Sequence, residues 1–345
     1  MGFGRKKMMK ARGKQHSSAF APAFLAAPGS PLGPGERALT AFVEDDDGTF
    51  NYAQPLAARR GIVLMRLRTE TTGGLVVGLC NPLTGESHVA PPLECCTCLG
   101  RHVNGYAILT AADCNVNERP SSSGRFAFSR LLLTGHHQDD RHLHLHSYSG
   151  ATRSWSARAT CLHSDQFRMA GADAAVVHRG AAHWLYFDVR RPQDARYDLY
   201  VLRGEVSSAC VSMTKLPAIA GWSPFLCVSG DARLSITSVH AMRVEVWTQQ
   251  HGDDDYDADP PAAWLRTHSI RIPPAQRLVG YSLLFHVNKG AMLAVYNGDG
   301  AVFVVDIERK VVEKVIDCSP RLGYYSCVPY EMDLPRFFLL QLGRK

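Results

Sequence analysis

Three groups of residues have the types and spacing that could do chemistry. Cys95 and Cys98 form one Cys-x-x-Cys, with Cys96 between them and His88, His102 and Cys114 nearby in sequence. Structural zinc needs four converging ligands, normally two such pairs at fixed spacing, and no second pair follows. The expectation is a cysteine-rich loop without metal. His136, His137, His142, His144 and His146 form a denser group. On a strand, His142, His144 and His146 would share one face, with Leu143 and Leu145 on the other. Three imidazoles on one face suit a transition metal; the alternative is a half-buried strand whose polar face meets solvent. Asp253, Asp255, Asp257 and Asp259 alternate in an acidic run. A calcium loop of the EF-hand type needs Gly at its sixth position and Glu at its twelfth. Counting from Asp253 gives Ala258 and Trp264, and from Asp255 gives Pro260 and Arg266, so a solvated loop is expected.

Motifs that would organise an active site are missing. The chain has no Gly-x-Ser-x-Gly elbow, no phosphate-binding Walker loop and no His-Glu-x-x-His pair. Gly298-Asp299-Gly300 lies in a turn and opens no helix. The expectation is a protein without catalytic residues, cofactor or metal; the alternative is a propeller enzyme with a metal site in the histidine- or cysteine-rich region.

The elements that would have to position these side chains are short strands. From Arg60 onward the sequence alternates with period two or forms brief apolar runs bounded by turn residues. Gly61–Arg68, Leu75–Cys80, Phe126–Thr134, Arg141–Tyr148, Ala174–His178 and His183–Val189 fit this reading. So do Tyr197–Arg203, Arg233–Val239, Arg243–Gln249, Tyr281–Val287, Ala291–Asn297 and Ala301–Ile307. Met292–Tyr296 and Val302–Asp306 flank Asn297-Gly298-Asp299-Gly300, residues tolerant of positive φ, and predict a hairpin. Turns at Asn81–Glu86, Ser149–Arg153, Gly204–Ser208 and Glu308–Lys310 each separate two strands, and a further hairpin surrounds Gly252–Pro260. Landmarks recur at roughly 50 to 70 residues, the range of four-stranded propeller blades with long loops. The fold expected is all-β, a propeller-like repeat of five or six irregular blades. Strands from the two chain ends are expected to complete one blade together. Trp155, Trp184, Trp222, Trp247 and Trp264 fall about one per blade, which suits packing between blades.

Composition agrees. With 46% apolar and 20% charged residues, the chain has ample material for a core, and no run approaches the ~18 apolar residues of a membrane helix. Net charge is +6, but Arg5, Lys6, Lys7, Lys10, Arg12 and Lys14 carry it, and the remaining basic residues balance the acidic ones. A nucleic-acid-binding body would carry its excess on the folded part, so none is expected to bind there. Residues 1–35 read as a disordered basic tail rich in Pro, Ala and Gly, open to use as a nuclear signal or transit peptide. Residues 36–345 read as the folded body. Ten cysteines without an Asn-x-Ser/Thr acceptor suit a reducing, intracellular compartment.

Three stretches resemble one family. Leu56–Met65 followed by Arg66 (LAARRGIVLMR), with Arg60 and Gly61 at its centre, is similar to the first strand of plant F-box-associated domains. Cys80 to Pro92, holding Asn81, Pro82, Thr84, Gly85, Pro91 and Pro92, resembles their Asn-Pro-x-Thr-Gly turn and the Pro-Pro that follows. His183-Trp184-Leu185-Tyr186 resembles a later strand. The resemblance, over about residues 40–340, implies a propeller-like substrate-recognition domain, with those nine residues as structural motif positions. It also implies an F-box docking on a Skp-type adaptor of a cullin ubiquitin ligase. Nothing in Met1–Thr40 reads as an F-box, so a ligase role here would require a borrowed one. The partner expected is a protein, engaged through loops on one face.

Overall fold

A computed structural model of the chain describes residues 23–25, 36–39, 43, 48–50, 53–67, 74–93, 103–113, 128–137, 140–163, 166–170, 174–189, 198–205, 211–217, 222–240, 242–250, 263–273, 283–287, 292–297, 301–317 and 328–330. Among them no α-helix occurs, and no helix is long and apolar enough to cross a membrane. β1 (Ala23–Leu25) pairs antiparallel with β2 (Glu36–Ala38). Composition places 23–25 in the tail; the structure places them in a strand.

Five antiparallel sheets follow in chain order. The first blade holds β3 (Gln54–Arg59), β4 (Ile62–Leu67), β5 (Val76–Asn81) and β6 (Glu86–Val89). The second holds β7 (Val103–Thr110), β8 (Phe128–His137), β9 (Asp140–Ser149), β10 (Ser154–Trp155) and β11 (Ala159–His163). The third holds β12 (Phe167–Met169), β13 (Val176–His178), β14 (Ala181–Asp188), β15 (Leu199–Glu205) and β16 (Val211–Lys215). The fourth holds β17 (Trp222–Val228), β18 (Leu234–His240), β19 (Arg243–Gln249) and β20 (Trp264–Arg271). The fifth holds β21 (Leu283–Val287), β22 (Met292–Asn297), β23 (Ala301–Asp306) and β24 (Val311–Asp317).

One early strand of each sheet touches the next: β3 meets β7, β7 meets β13, β13 meets β17, and β17 meets β21. Tyr106 of β7 forms a parallel bridge with Ala174, just before β13. Innermost strands running the same way around an axis are the arrangement of a β-propeller. The chain is all-β and propeller-like, as its sequence predicts.

The first blade is buried on both faces, which is why Ile62–Leu67 reads as an apolar run with no alternation. Ile62 and Leu64 join Tyr106, Ile108, Leu131 and Leu133 between the first and second blades. Val63, Met65 and Leu67 point the other way, onto Leu39, Val43, Phe50 and Ala53, with Tyr330 beside them. Tyr330 Oη also lies 3.5 Å from the carbonyl of Gly61. Segments from both ends of the chain therefore cover the free side of the first blade, but among the described residues no blade takes strands from both ends. Each sheet is contiguous in sequence, and the expected shared blade is not formed. Further cores join the second blade to the third around Trp184, the third to the fourth around Ile236, and the fourth to the fifth around Val246 and Val305.

The predicted hairpin forms in register, Tyr296 opposite Val302 and Asn297 opposite Ala301. β19 and β20 pair from Gln249 opposite Trp264, confirming a hairpin around the acidic run. The turn expected from Gly204 is displaced. Gly204 lies inside β15, paired with Ala182 and Val211. A Cβ there would stand 3.2 Å from the Trp184 ring, so the glycine makes room for the indole.

Candidate interaction face

The turns between first and second strands, and between third and fourth, gather at one end of the propeller. Three contacts place them together. Arg59, ending β3, reaches Asp113, just past β7. A Cβ on Gly180, in the β13–β14 turn, would meet the Asp113 carbonyl at 3.1 Å. Glu308, in the β23–β24 turn, lies over Gly230 of the β17–β18 turn.

Arg60 and Gly61 are the two central residues of the β3–β4 hairpin, with φ of 48° and 78°. Both values belong to a type I′ turn, whose twist matches the flanking strands. Arg179 and Gly180 repeat it between β13 and β14, at 47° and 71°. The third-to-fourth turns also repeat. Asn81 accepts the Thr84 and Gly85 amides on its carbonyl at 3.2 and 2.9 Å, and the Leu83 amide on Oδ1 at 3.0 Å. Thr84 Oγ1 donates to Glu86 Oε2 at 2.9 Å. Gly85 closes that turn at φ 75°, and Arg153 and Lys310 hold the matching place in the second and fifth blades at 52° and 56°. The Arg153 amide donates to the Ser149 carbonyl at 2.9 Å, as Gly85 does to Asn81.

Behind the turns sits a buried ion pair. Arg59 donates to both Asp113 oxygens, at 2.5 and 2.7 Å, and to the Ile108 carbonyl at 3.1 Å. The Thr110 amide and hydroxyl each donate to Asp113 Oδ2 at 2.8 Å. Arg60 donates to Thr110 Oγ1 at 2.8 Å. Burial pushes the Asp113 carboxyl up, but the Arg59 guanidinium and the Thr110 donors outweigh it and hold the acid below its ordinary range. The result joins the first and second blades through a fork-to-fork pair of fixed geometry.

The outer part of the same junction is also polar. His88 Nε2 lies 2.6 Å from Tyr148 Oη, and Trp155 Nε1 donates to the Pro91 carbonyl at 2.8 Å. Burial, then the charge of Arg153, lower the His88 pKa, while burial raises that of Tyr148 against the same arginine. Pro92 lies close beside Gly74, where an added Cβ would stand 3.5 Å from its ring. Trp184 is almost fully buried in the second-to-third core. Thus Arg60, Gly61, Asn81, Pro82, Thr84, Gly85, Pro91, Pro92 and Trp184 occupy turns, a cross-blade bond and a core. They do not converge on one pocket.

The three chemistry-bearing groups fare differently. His144 and His146 are buried on the side of β9 that faces the first blade, not turned to solvent, because both faces of a blade are covered. Neighbouring rings are 6.4 Å apart, and four residues of strand separate His142 from His146 by ~13 Å. These three alone cannot chelate one ion. His144 Nδ1 lies 3.4 Å from Thr160 Oγ1. The side chains of His136, His137 and Trp222 lie outside the described residues. So do Cys95, Cys96, Cys98, His102 and Cys114, and the run Asp253, Asp255, Asp257 and Asp259.

Sequence reasoning missed other groups. Cys80, Cys161 and Cys227 are thiols pushed up to about 12 by burial, far from the thiolate that nucleophilic work requires. His183, beside Trp184, is brought down to about 3 by burial and by the charges of His178 and Arg203. Glu245 is buried beside His240, Arg243 and Arg266.

No protein-family model matches the chain, and no curated protein matches it. Solved structures are similar at a low level. A luciferin-regenerating enzyme shares 12% identity over 77% of this chain and 75% of its own, with a TM-score of 0.39. Oligogalacturonate lyase from Vibrio parahaemolyticus shares 10% over 76% and 78%, also at 0.39. A prolyl endopeptidase shares 12% over 78% of this chain and 37% of its own, at 0.37. Their activities are theirs; the propeller reading rests on the sheets of this chain.

Proposed function

We propose that the chain is a non-catalytic protein-recognition module, a propeller that engages a protein partner through the turns of one face. The observation that carries this reading is what the described reactive groups do. Asp113 is committed to Arg59 and Thr110, two buried thiols and one half-buried thiol stay protonated, and His183 is held neutral. Each lies within or between blades. The turns meanwhile present side chains from several blades on one surface, where functional residues of a rigid scaffold usually sit.

The resemblance to plant F-box-associated domains supports the same class, a substrate-recognition domain working inside the cell. Entry into a ubiquitin ligase would pass through an F-box. The test is affinity purification of the tagged full chain from plant cells, with mass spectrometry of the bound proteins and reconstitution from purified components. A reconstituted complex containing a Skp-type adaptor and a cullin supports the ligase role. A reconstituted complex without them supports stand-alone recognition. Failure to reconstitute any complex overturns the proposal.

A further inference from the structure

Five described residues other than glycine hold positive φ, and four are basic: Arg60, Arg153, Arg179 and Lys310. All four lie in hairpin turns of the face described above. Left-handed backbone is strained for a residue with a Cβ, and glycine relieves it. This chain uses glycine freely in such places, as Gly61, Gly85 and Gly180 show. Gly85, in the first blade, fills the position that Arg153 and Lys310 fill in the second and fifth. Nothing in the turn geometry asks for a cation there. Strain retained in a scaffold that offers a cheaper residue points to a use for the side chain.

Arg153, Arg179 and Lys310 are exposed. Among the described residues at this end several acidic groups are already engaged, Glu308 in the Lys310 turn excepted, and the acidic run 253–259 belongs to the fourth blade, which supplies none of these cations. Asp113 is taken by Arg59, Glu205 by Arg203 at 3.1 Å, and Asp231 by Arg233 at 2.8 Å. Glu86 accepts from Thr84. We infer that these turn-tip cations form a binding surface for an acidic, carboxylate-rich peptide segment of a protein partner. Arginine forks match carboxylates in bidentate geometry, and tips on separate blades suit an extended segment laid across the face. A strand-tracking nucleic-acid surface would interleave aromatic rings for stacking. The described turns, 60–61, 82–85, 150–153, 179–180, 230–232 and 307–310, hold none.

This rests on the recognition reading above and adds the partner's chemistry. The test uses the full chain and a triple variant, Arg153→Gly, Arg179→Gly and Lys310→Gly. Binding of a fluorescein-labelled Glu/Ser-repeat peptide is followed by anisotropy at low and high salt. Three lost exposed pairings are expected to weaken it about tenfold or more, with a melting temperature at or above that of the parent. Arg153→Lys with Arg179→Lys, which keeps the charges but removes the forks, should bind more tightly than the triple variant and less tightly than the parent.

Equal binding by parent and triple variant would overturn the inference, placing the affinity on the basic tail. Tighter binding to an oligothymidylate of equal charge would overturn it in favour of nucleic acid. A lower melting temperature in the variant would also overturn it, because the cations would then be holding the turns. If a complex reconstituted with the natural partner forms equally with the variant, recognition stands and only the acidic-segment inference fails.

Discussion

The junction between the first and second blades and the junction between the fourth and fifth solve one problem by different physics. The first adds directional bonds to its apolar core: Arg59 to Asp113, Arg66 to Tyr106 Oη at 2.9 Å, His88 to Tyr148, and Trp155 to Pro91. The second is built from Phe225, Cys227, Val244, Val246, Ile270, Phe303, Val305 and Ile307. Apolar area is indifferent to small sliding, whereas a bidentate pair defines one register. The polar junction lies directly behind the turns proposed to read a partner, where relative blade position matters most.

The contrast makes the two junctions fail differently. Asp113→Ala would leave the Arg59 guanidinium buried and unpaired, a loss of about 3–5 kcal/mol in urea unfolding. Arg59→Met with Asp113→Leu should recover much of that loss, because an apolar pair carries no desolvation penalty; no recovery would mean the bond itself, not the stranded charge, sets the cost. At the apolar junction, Val246→Ala should cost about 2 kcal/mol and Ile270→Val about 1 kcal/mol, scaling with the volume removed. Tyr148→Phe, which removes the hydroxyl near His88, should cost about 1 kcal/mol.

The most diagnostic effect is on pH. Asp113 has a folded pKa below its unfolded value, so the pair's stabilisation is full above the unfolded carboxylate range and is lost as pH falls through the folded pKa. His183, with a folded pKa of about 3, works in the same direction over a higher window. The unfolded chain binds its proton below about 6.5 while the native chain does not, so stability falls on acidification by at most about 1.4 kcal/mol per pH unit. Asp113→Asn should remove the lower limb and His183→Leu the upper one. Variants at Val246 and Ile270 should shift the whole profile without changing its shape.

Much of this architecture was legible in the sequence, and the exceptions have physical reasons. Twelve apolar segments were readable as strands because burial on both faces left them rich in branched and aromatic residues. β7, β11, β16 and β20 were not, their apolar patterns being weaker, nor were β3 and β17, where Pro55 and Pro224 argue against strands. Both prolines lie on innermost edge strands beside register shifts, where no ladder donor is missed. The blade-joining bonds were out of reach because Arg59 and Asp113 are 54 residues apart. The tight fit of Trp184 against Gly105 was equally hidden, since an added Cβ would stand 2.7 Å from Nε1 only in the folded chain. The repeated Arg-Gly at 60–61 and 179–180 was a readable signal for paired type I′ turns, passed over because Asn-Gly is the usual form.

The most direct test of the account is hydrogen–deuterium exchange on the full chain, alone and with the partner recovered by purification and reconstitution. The account predicts new protection at the turns 60–61, 150–153, 179–180 and 307–310, with the outer strands unchanged. Protection confined to the opposite end, at the β8–β9 and β18–β19 connections, would contradict it.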